Sequence, residues 1–263
     1  AVMHFAAYAY VGESVKDPLK YYINNVIEST VLIDLLCDEN IYRKRSVKEP
    51  IPLVFSSTCA TYGIPKTLPI SEETIQNPIN PYGRSKLMIE QIIIDLCRAR
   101  RFKCVILRYF NAAGASPDGR LGENHNPETH LIPLVIKTAL GQLKEINIFG
   151  QDYPTEDGTC IRDYIHVCDL ADAHIRSLNL INANFKECNN SFELKNENFR
   201  IYNLGTGFGI SVKEIITTVE KITKKKIPLK ICKRRDGDPA ILIASPKKFK
   251  QELGWEPKYS NIE

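Results

Sequence analysis

Short apolar runs alternate with longer amphipathic segments along the chain, and this alternation limits the possible folds more than any other feature. The runs Ile51–Phe55, Val105–Leu107 and Ile201–Leu204 have the length of buried strands. Between the first two, apolar residues recur at helical spacing from Tyr82 to about Arg100. Strands that alternate with helices in this way form a mainly parallel sheet with helices packed on it. The sequence therefore predicts an α/β fold with a doubly wound parallel sheet.

The same patterns divide the chain into two parts. Residues 1–7 are predicted to form a buried strand, and a helix is predicted from Leu19 to about Cys37. A turn-rich stretch at 114–129 changes the composition, so we place a domain boundary near Ala112. This gives a first domain at 1–112 and a smaller α/β domain at 113–263, with segments near 160–180 and 201–204 returning to the first. The polar stretches 38–50 and 182–200 are predicted to be surface insertions.

Charge and hydropathy exclude several classes of protein. The 35 Lys and Arg residues against 31 Asp and Glu give a net charge of only +4, and the basic residues are scattered, which argues against nucleic-acid binding. No apolar run approaches the roughly 20 residues of a membrane span, and no leader-like segment opens the chain. The eight cysteines are widely separated, which favours reduced thiols. We therefore expect a cytoplasmic protein that binds neither nucleic acid nor membrane.

One loop raises the question of a metal ion. His125 and His130 lie five residues apart in a polar loop that also carries Glu123 and Glu128. No further ligand follows at a spacing typical of metal sites. The sequence therefore favours solvated loop residues and predicts no metal.

The most reactive arrangement in the sequence is a tyrosine followed four residues later by a lysine. Tyr82 and Lys86 would project from one face of the predicted helix into a shared site. A nearby cation stabilises a phenolate, which would make Tyr82 a general base near neutral pH. Thr58, or its neighbour Ser57, ends the preceding strand and could offer a hydroxyl to the same proton transfer. We interpret the three side chains as a catalytic unit.

Sequence blocks around these residues resemble the UDP-glucose 4-epimerase family, a group of extended short-chain dehydrogenases. The blocks follow the family's order over essentially the whole chain outside the two insertions: 4–7, 12–14, 21–25, 55–63, 80–86, 107–111, 152–159 and 162–167. The resemblance implies a Rossmann-type fold for the first domain. It also implies that the second domain binds a UDP-sugar and that the protein is a homodimer.

The resemblance further implies a reaction. Tyr82 would take the proton of the sugar 4-hydroxyl while hydride passes from C4 to bound NAD, and the resulting 4-keto sugar would be reduced from its other face. Lys86 would hold the nicotinamide ribose and lower the pKa of the tyrosine, and Thr58 would bind the sugar oxygen. UDP-glucose and UDP-galactose would be interconverted.

Two sets of binding residues are carried over by the same resemblance. The NAD site would be lined by Phe5, Ala6, Asn24, Ser56, Tyr82, Lys86 and Tyr109. The UDP-sugar site would be lined by Thr58, Tyr82, Asn111, Leu131, Phe149, Arg162, Arg235 and Asp238. The arginines suit a diphosphate independently of the resemblance, because a guanidinium stays charged and forms forked hydrogen bonds. Gly205–Gly209 is interpreted as a strand-to-helix turn capped by Ser211 and not as a phosphate loop.

The chain departs from the family pattern at several points. Thr58 replaces the commoner serine, and Ala9 stands where many members carry a lysine near the cofactor. Leu242 occupies the position that gates the sugar pocket, which leaves tolerance for an N-acetyl group open. The glycine-rich motif that opens a dinucleotide-binding domain is absent. We therefore interpret the chain as lacking its front βα units and its last helix, and expect it to hold NAD poorly by itself.

Three other functions remain open at this stage. A UDP-arabinose/UDP-xylose 4-epimerase would share the stretch Ser56–Gly63 and the mechanism. A nucleotide-sugar 4,6-dehydratase is disfavoured because that family places Asp-Glu after the strand threonine, where this chain has Cys59-Ala60. A non-enzymatic binding module is the third alternative.

Overall fold

A computed structural model describes residues 1–38, 51–99, 102–183, 198–235 and 237–262. The insertions predicted at 38–50 and 182–200 lie mostly outside the described residues. The strands in chain order are β1 (Val2–His4), β2 (Leu53–Thr58), β3 (Cys104–Tyr109), β4 (Asn111–Ala113), β5 (Ile146–Phe149), β6 (Ile161–Arg162), β7 (Tyr164–His166), β8 (Phe199–Leu204), β9 (Ile210–Ser211), β10 (Leu229–Cys232) and β11 (Ile241–Leu242). The α-helices are α1 (Val11–Lys16), α2 (Pro18–Tyr21), α3 (Glu28–Cys37), α4 (Pro81–Arg98), α5 (Leu131–Ala139), α6 (Val167–Asn182), α7 (Val212–Thr223) and α8 (Lys247–Leu253).

The main sheet contains four parallel strands in the order β1-β2-β3-β8. Strand β2 is buried on both faces, and its side chains alternate between two apolar layers. Leu53 and Phe55 pack with Ile33 of α3 and Ile89 of α4. Val54 faces the opposite layer, which contains residues of α6 and α8. Helices therefore cover both faces of a parallel sheet, and the predicted α/β class is confirmed.

A second group of elements packs around its own apolar cluster. Helices α5 and α7 contact each other beside the parallel pair β5 and β10, and their buried residues include Val135, Ile148 and Ile215. Strand β6 pairs with β11 in parallel and with β9 in antiparallel orientation. The chain returns to the main sheet at β8, after α6. The domain boundary near Ala112 stays a prediction.

Helix α7 begins as its sequence predicts. The Ser211 side chain accepts from the main-chain N–H of Glu214, and the Glu214 side chain accepts from that of Ser211. This reciprocal pair satisfies two N–H groups that a helix start leaves without partners. Gly205–Gly209 is therefore the turn before a capped helix start.

One helical segment differs from its prediction. A π-helical stretch, Tyr22–Ile27, joins α2 to α3 where the sequence predicts one regular helix. Leu19, Ile23 and Ile27 repeat every four residues, a spacing that an α-helical turn and a wider π turn both keep on one face. No helix in the described ranges is long and apolar enough to cross a membrane.

Candidate functional site

The candidate site lies at the carboxyl ends of the sheet strands. Thr58 ends β2 and is in register with Tyr109, which ends β3. Carboxyl ends of parallel strands are where open α/β sheets place their ligand sites. A short 3₁₀ turn, Cys59–Tyr62, then leads the chain away from the sheet. The side chains that end β2 and β3 therefore lie together at the carboxyl edge of the sheet.

Helix α4 begins against that edge. Asn80 caps it by accepting a hydrogen bond from the Gly83 N–H at 2.8 Å, and Pro81 occupies its first position. A Cβ at Gly83 would lie 2.4 Å from the carbonyl oxygen of Ala60. Only glycine allows α4 to approach the 3₁₀ turn this closely. The close approach brings Tyr82 next to Thr58.

Tyr82 is buried, and the Thr58 side chain acts on its phenol. Burial raises the pKa of Tyr82 to about 12, and Thr58 opposes this rise. The expectation of a lowered phenol pKa is therefore wrong for the protein without ligands. The reason is that burial penalises the phenolate more than Thr58 stabilises it, and Lys86 is not among the groups that shift this pKa.

Lys86 lies one turn further along α4 and is almost fully buried. Its ammonium donates to the main-chain carbonyl oxygen of Ser56 at 2.8 Å and lies 5.0 Å from the ring centroid of Phe55. Burial lowers the pKa of Lys86 to about 8, while the charge of Glu90 acts to raise it. An ammonium carries three donors, and among the described residues only Ser56 accepts from it. The remaining N–H donors suit the hydroxyl groups of a ligand.

The other residues predicted to line the cofactor site follow β1, lie near the ends of β2 and β3, or, in the case of Asn24, lie in the π-helical segment. Phe5 comes directly after β1, is 56% exposed, and its ring lies 4.8 Å from that of His174. Tyr109 donates a short hydrogen bond to the Ser56 hydroxyl. Asn24 donates to the side chain of Asn25 at 2.9 Å, and Ala6 follows Phe5. An exposed ring, a run of hydroxyls and a buried cation form a donor set that fits a nucleotide cofactor.

The residues predicted to bind substrate fall into two groups, each with one direct contact, between Arg162 and Asp238 in the first and between Arg235 and Phe149 in the second. In the first, the Arg162 guanidinium on β6 forms a short ion pair with Asp238 and donates to the Ile161 carbonyl oxygen at 2.8 Å. Arg162 also acts electrostatically on Cys59, the residue after Thr58, by lowering its pKa against a larger rise caused by burial. Arg162 therefore connects the substrate residues to the catalytic cluster.

In the second group, the guanidinium of Arg235 stacks on the ring of Phe149, 3.9 Å from its centroid. Asn111 begins β4, and its N–H donates to the carbonyl oxygen of Asp163 at 2.9 Å. Leu131 is the first residue of α5.

Leu242 pairs with Arg162 across β11 and β6 and is 6% exposed. It packs in one cluster with Cys59, Phe110 and Ala244. Leu242 is therefore buried beside the residue that follows Thr58, and its role as the gate of the sugar pocket stays a prediction.

Three buried polar residues escaped the sequence analysis. Glu90 forms an ion pair with Arg108 at 2.6 Å and accepts from Ser57. Asn25 joins Tyr8 to the Ser85 hydroxyl of α4. The sequence signal that could have indicated Asn25 and Glu90 was a polar residue on an otherwise apolar helix face.

The third is Asp163, whose carboxylate accepts from the main-chain N–H groups of Thr206, Gly207 and Ala244. It lies inside a sequence block quoted above, but nothing local indicates these distant partners.

Comparisons with known proteins agree with the family that the sequence blocks indicate. The family model described as GDP-mannose 4,6 dehydratase matches residues 1–263. The chain is 48% identical over 262 residues to a UDP-glucose 4-epimerase of Halalkalibacterium halodurans, with 100% of this chain and 72% of that protein covered. It superposes on the UDP-glucose 4-epimerase from Brucella ovis in complex with NAD with a TM-score of 0.87 at 45% identity, covering 100% of this chain and 74% of the other. The corresponding structure from Bifidobacterium longum, in complex with NAD+ and UDP, gives 0.84 at 42% identity, with 99% and 72% covered.

Proposed function

The chain belongs to the family of the UDP-glucose 4-epimerases, and from that premise we propose that Thr58, Tyr82 and Lys86 carry the inversion of C4 in UDP-glucose and UDP-galactose. The family resemblance seen in the sequence blocks is confirmed, as is NAD as the cofactor. The observation that carries the assignment of roles is the close approach of α4, at Gly83, to the turn that follows Thr58, together with the buried Lys86 ammonium bonded to Ser56 of the same strand.

Tyr82 is the proton-transfer group. At neutral pH its phenol is a neutral donor, which suits the return of a proton to the sugar oxygen. To accept a proton, it needs stabilisation of the phenolate. The Thr58 hydroxyl supplies part of this stabilisation. A bound sugar excludes water and so strengthens electrostatic effects on the phenol.

Lys86 has a positioning role toward the cofactor. Its bond to the Ser56 carbonyl fixes the ammonium at the end of β2, and its other N–H donors would hold ribose hydroxyls. Phe5, Ala6, Asn24, Ser56 and Tyr109 would complete the cofactor site. When bound, NAD supplies a reversible hydride acceptor, so C4 can return to either of its two configurations.

The arginines would hold the UDP part of the substrate. Arg162 and Arg235 carry permanent positive charges on the substrate side of the site, and a diphosphate accepts forked hydrogen bonds from such groups. Asp238 fixes the orientation of Arg162 through their ion pair, and the ring of Phe149 stacks on the guanidinium of Arg235. Asn111 and Leu131 would contact the same substrate.

Replacement of Tyr82 by phenylalanine tests the proposed function. The variant keeps the ring and loses only the hydroxyl, so we expect epimerisation of UDP-galactose, followed by proton NMR of the sugar, to fall by at least 100-fold. Tyr22→Phe removes a phenol from the outer surface of the same helical layer and is the matched control. Unchanged turnover in Tyr82→Phe would exclude this mechanism. UDP-xylose and UDP-arabinose, tested as substrates in parallel, would separate the pentose alternative.

We also propose that the protein forms a homodimer through the outer face of α2, the π-helical segment and α3. This face carries a row of exposed apolar side chains spaced four residues apart: Leu19, Ile23, Ile27, Val31 and Leu35. Contiguous exposed apolar surface of this kind marks protein contact sites. A two-fold axis would bring the row of one chain against that of its copy, which buries both at once.

A further inference from the structure

The loop before α5 brings together four side chains that the mechanism does not use. Glu123, His125, Glu128 and His130 each offer one ligand atom, and these atoms all lie within 4.8 Å of one another. The Nδ1 atom of His125 is 2.9 Å from Oε1 of Glu123 and 3.8 Å from Oε1 of Glu128. The Nδ1 atom of His130 contacts the same Glu123 oxygen. Two imidazole nitrogens thus converge on one carboxylate.

An independent observation at Glu128 points to an additional ligand. Its side chain is only 4% exposed. One carboxylate oxygen accepts from the main-chain N–H groups of Thr129 and His130 at 2.7 and 2.9 Å. The other oxygen, Oε2, is buried and has no hydrogen-bond partner. A carboxylate oxygen buried without a partner is costly, and a cation would remove that cost.

We propose that Glu123, His125, Glu128 and His130 form a site for one divalent transition-metal cation of the zinc class. Two carboxylates and two neutral imidazoles carry two negative charges, which a divalent cation balances. Tetrahedral ligands at about 2.1 Å from a zinc ion lie about 3.4 Å apart, a value that falls between the distances of 2.9 and 3.8 Å from His125 Nδ1 to the carboxylate oxygens of Glu123 and Glu128. Imidazole nitrogen together with carboxylate oxygen favours zinc over calcium or magnesium, which prefer all-oxygen sites.

This site revises the metal-free loop expected from the sequence. The sequence places the two histidines and two glutamates within eight residues, but their spacing alone does not bring them together. The fold brings the four side chains together, and a residue outside the loop contacts it. Tyr10 donates to the Pro127 carbonyl oxygen at 3.2 Å, and its ring lies edge-on to that of His125, 6.1 Å away. The segment after β1 therefore supports the loop that holds the cluster.

The site lies next to the substrate residues and is separate from them. His130 directly precedes Leu131, the first residue of α5. A bound cation would fix the four side chains and hence the start of this helix. Because a ligand that binds only the folded state raises its stability, binding can be measured without any assay of turnover.

Calorimetric titration of the 263-residue chain with Zn2+ alone tests the proposal. We expect one ion per chain with a dissociation constant in the micromolar range or below, and a rise in the thermal midpoint at saturating Zn2+. His125→Ala and His130→Ala should each weaken binding at least tenfold. Both residues are exposed, so circular dichroism should show an unchanged fold.

Two matched variants control for adventitious binding. Asp118→Asn removes an exposed carboxylate of the same loop region, and His166→Asn removes a histidine elsewhere while leaving a residue that can cap α6. Neither should change the affinity by more than twofold. Binding weaker than millimolar in the unaltered chain, or a loss below tenfold in either cluster variant, would overturn the proposal.

Discussion

The ammonium of Lys86 donates a hydrogen bond to the main-chain carbonyl oxygen of Ser56 across 2.8 Å. The bond connects the helix that carries Tyr82 to the strand that carries Thr58. It also keeps a charged group buried at the carboxyl edge of the sheet, where burial disfavours the charge. Lys86, which the proposed reaction needs, therefore reduces the stability of the folded state.

The pH dependence of stability should reveal this cost. Burial lowers the pKa of Lys86 to about 8 from the ordinary 10.5, so between these two pH values the unfolded chain binds more protons than the folded one. Stability contributed by this group therefore rises with pH across that window. We expect the free energy of unfolding of the unaltered protein to increase, relative to that of Lys86→Met, by on the order of 3 kcal/mol between pH 8 and 10.5.

Urea unfolding of both proteins at several pH values measures the difference. Lys66→Met removes an exposed ammonium and controls for the change in net charge. Parallel stability curves for the unaltered protein and Lys86→Met would contradict the prediction.

The fold was predictable from local patterns because each buried strand and each amphipathic helix carries its own periodicity. Strand β2 ends at Thr58, as the sequence predicts, although its apolar run ends at Phe55. Polar side chains at its end are buried by partners from elsewhere, such as Glu90 on Ser57. The π-helical segment at Tyr22–Ile27 was missed because spacings of three, four and five residues overlap in a short sequence.

The site was predictable only in part, because it depends on contacts between distant segments. Tyr82 and Lys86 share a helix face, which their spacing predicts. The placement of Tyr82 next to Thr58 needs the close approach at Gly83, and no local pattern indicates it. The raised pKa of Tyr82 follows from burial, which composition and periodicity do not measure.

Changes at Thr58 should move the pH profile of the reaction. The Thr58 side chain lowers the pKa of the Tyr82 phenol, so loss of its hydroxyl raises that pKa and moves the rising limb of the rate to higher pH. We expect Thr58→Val to reduce kcat roughly tenfold to 100-fold, as is typical for loss of a group that assists proton transfer. Profiles of kcat against pH provide the measurement.

Thr58→Ser is the matched control because it keeps the hydroxyl, and its rate should stay within a few-fold of the unaltered enzyme. A Thr58→Val enzyme with an unshifted pH profile would show that Thr58 does not act on the phenol.

Two adjacent arginines provide an internal comparison on the substrate side. Arg235 stacks on Phe149, whereas Arg234 stacks on Tyr153 and pairs with the exposed carboxylate of Asp152. Only Arg235 belongs to the proposed diphosphate site. A hydrogen bond to a charged group contributes about 1.5 to 3 kcal/mol, so Arg235→Ala should raise the KM for UDP-galactose roughly tenfold or more.

The value of kcat should change much less, because the contact is made in both the ground state and the transition state. Arg234→Ala should leave KM within about threefold of its original value. Equal effects of the two substitutions on KM would remove Arg235 from the site.

The exposed row on α2 and α3 gives the last prediction, which concerns assembly. Ile27 lies in the middle of the row and is 55% exposed in the single chain. A charge at this position would be buried against a second copy without a partner, which is strongly unfavourable. We expect Ile27→Glu to convert a dimer into a monomer in light scattering coupled to size-exclusion chromatography. Ile175→Glu places the same charge at a residue of α6 that is also 55% exposed but lies across the sheet, so the dimer should persist. A monomeric unaltered protein, or an Ile27→Glu protein that remains dimeric, would show that this row does not form the contact between chains.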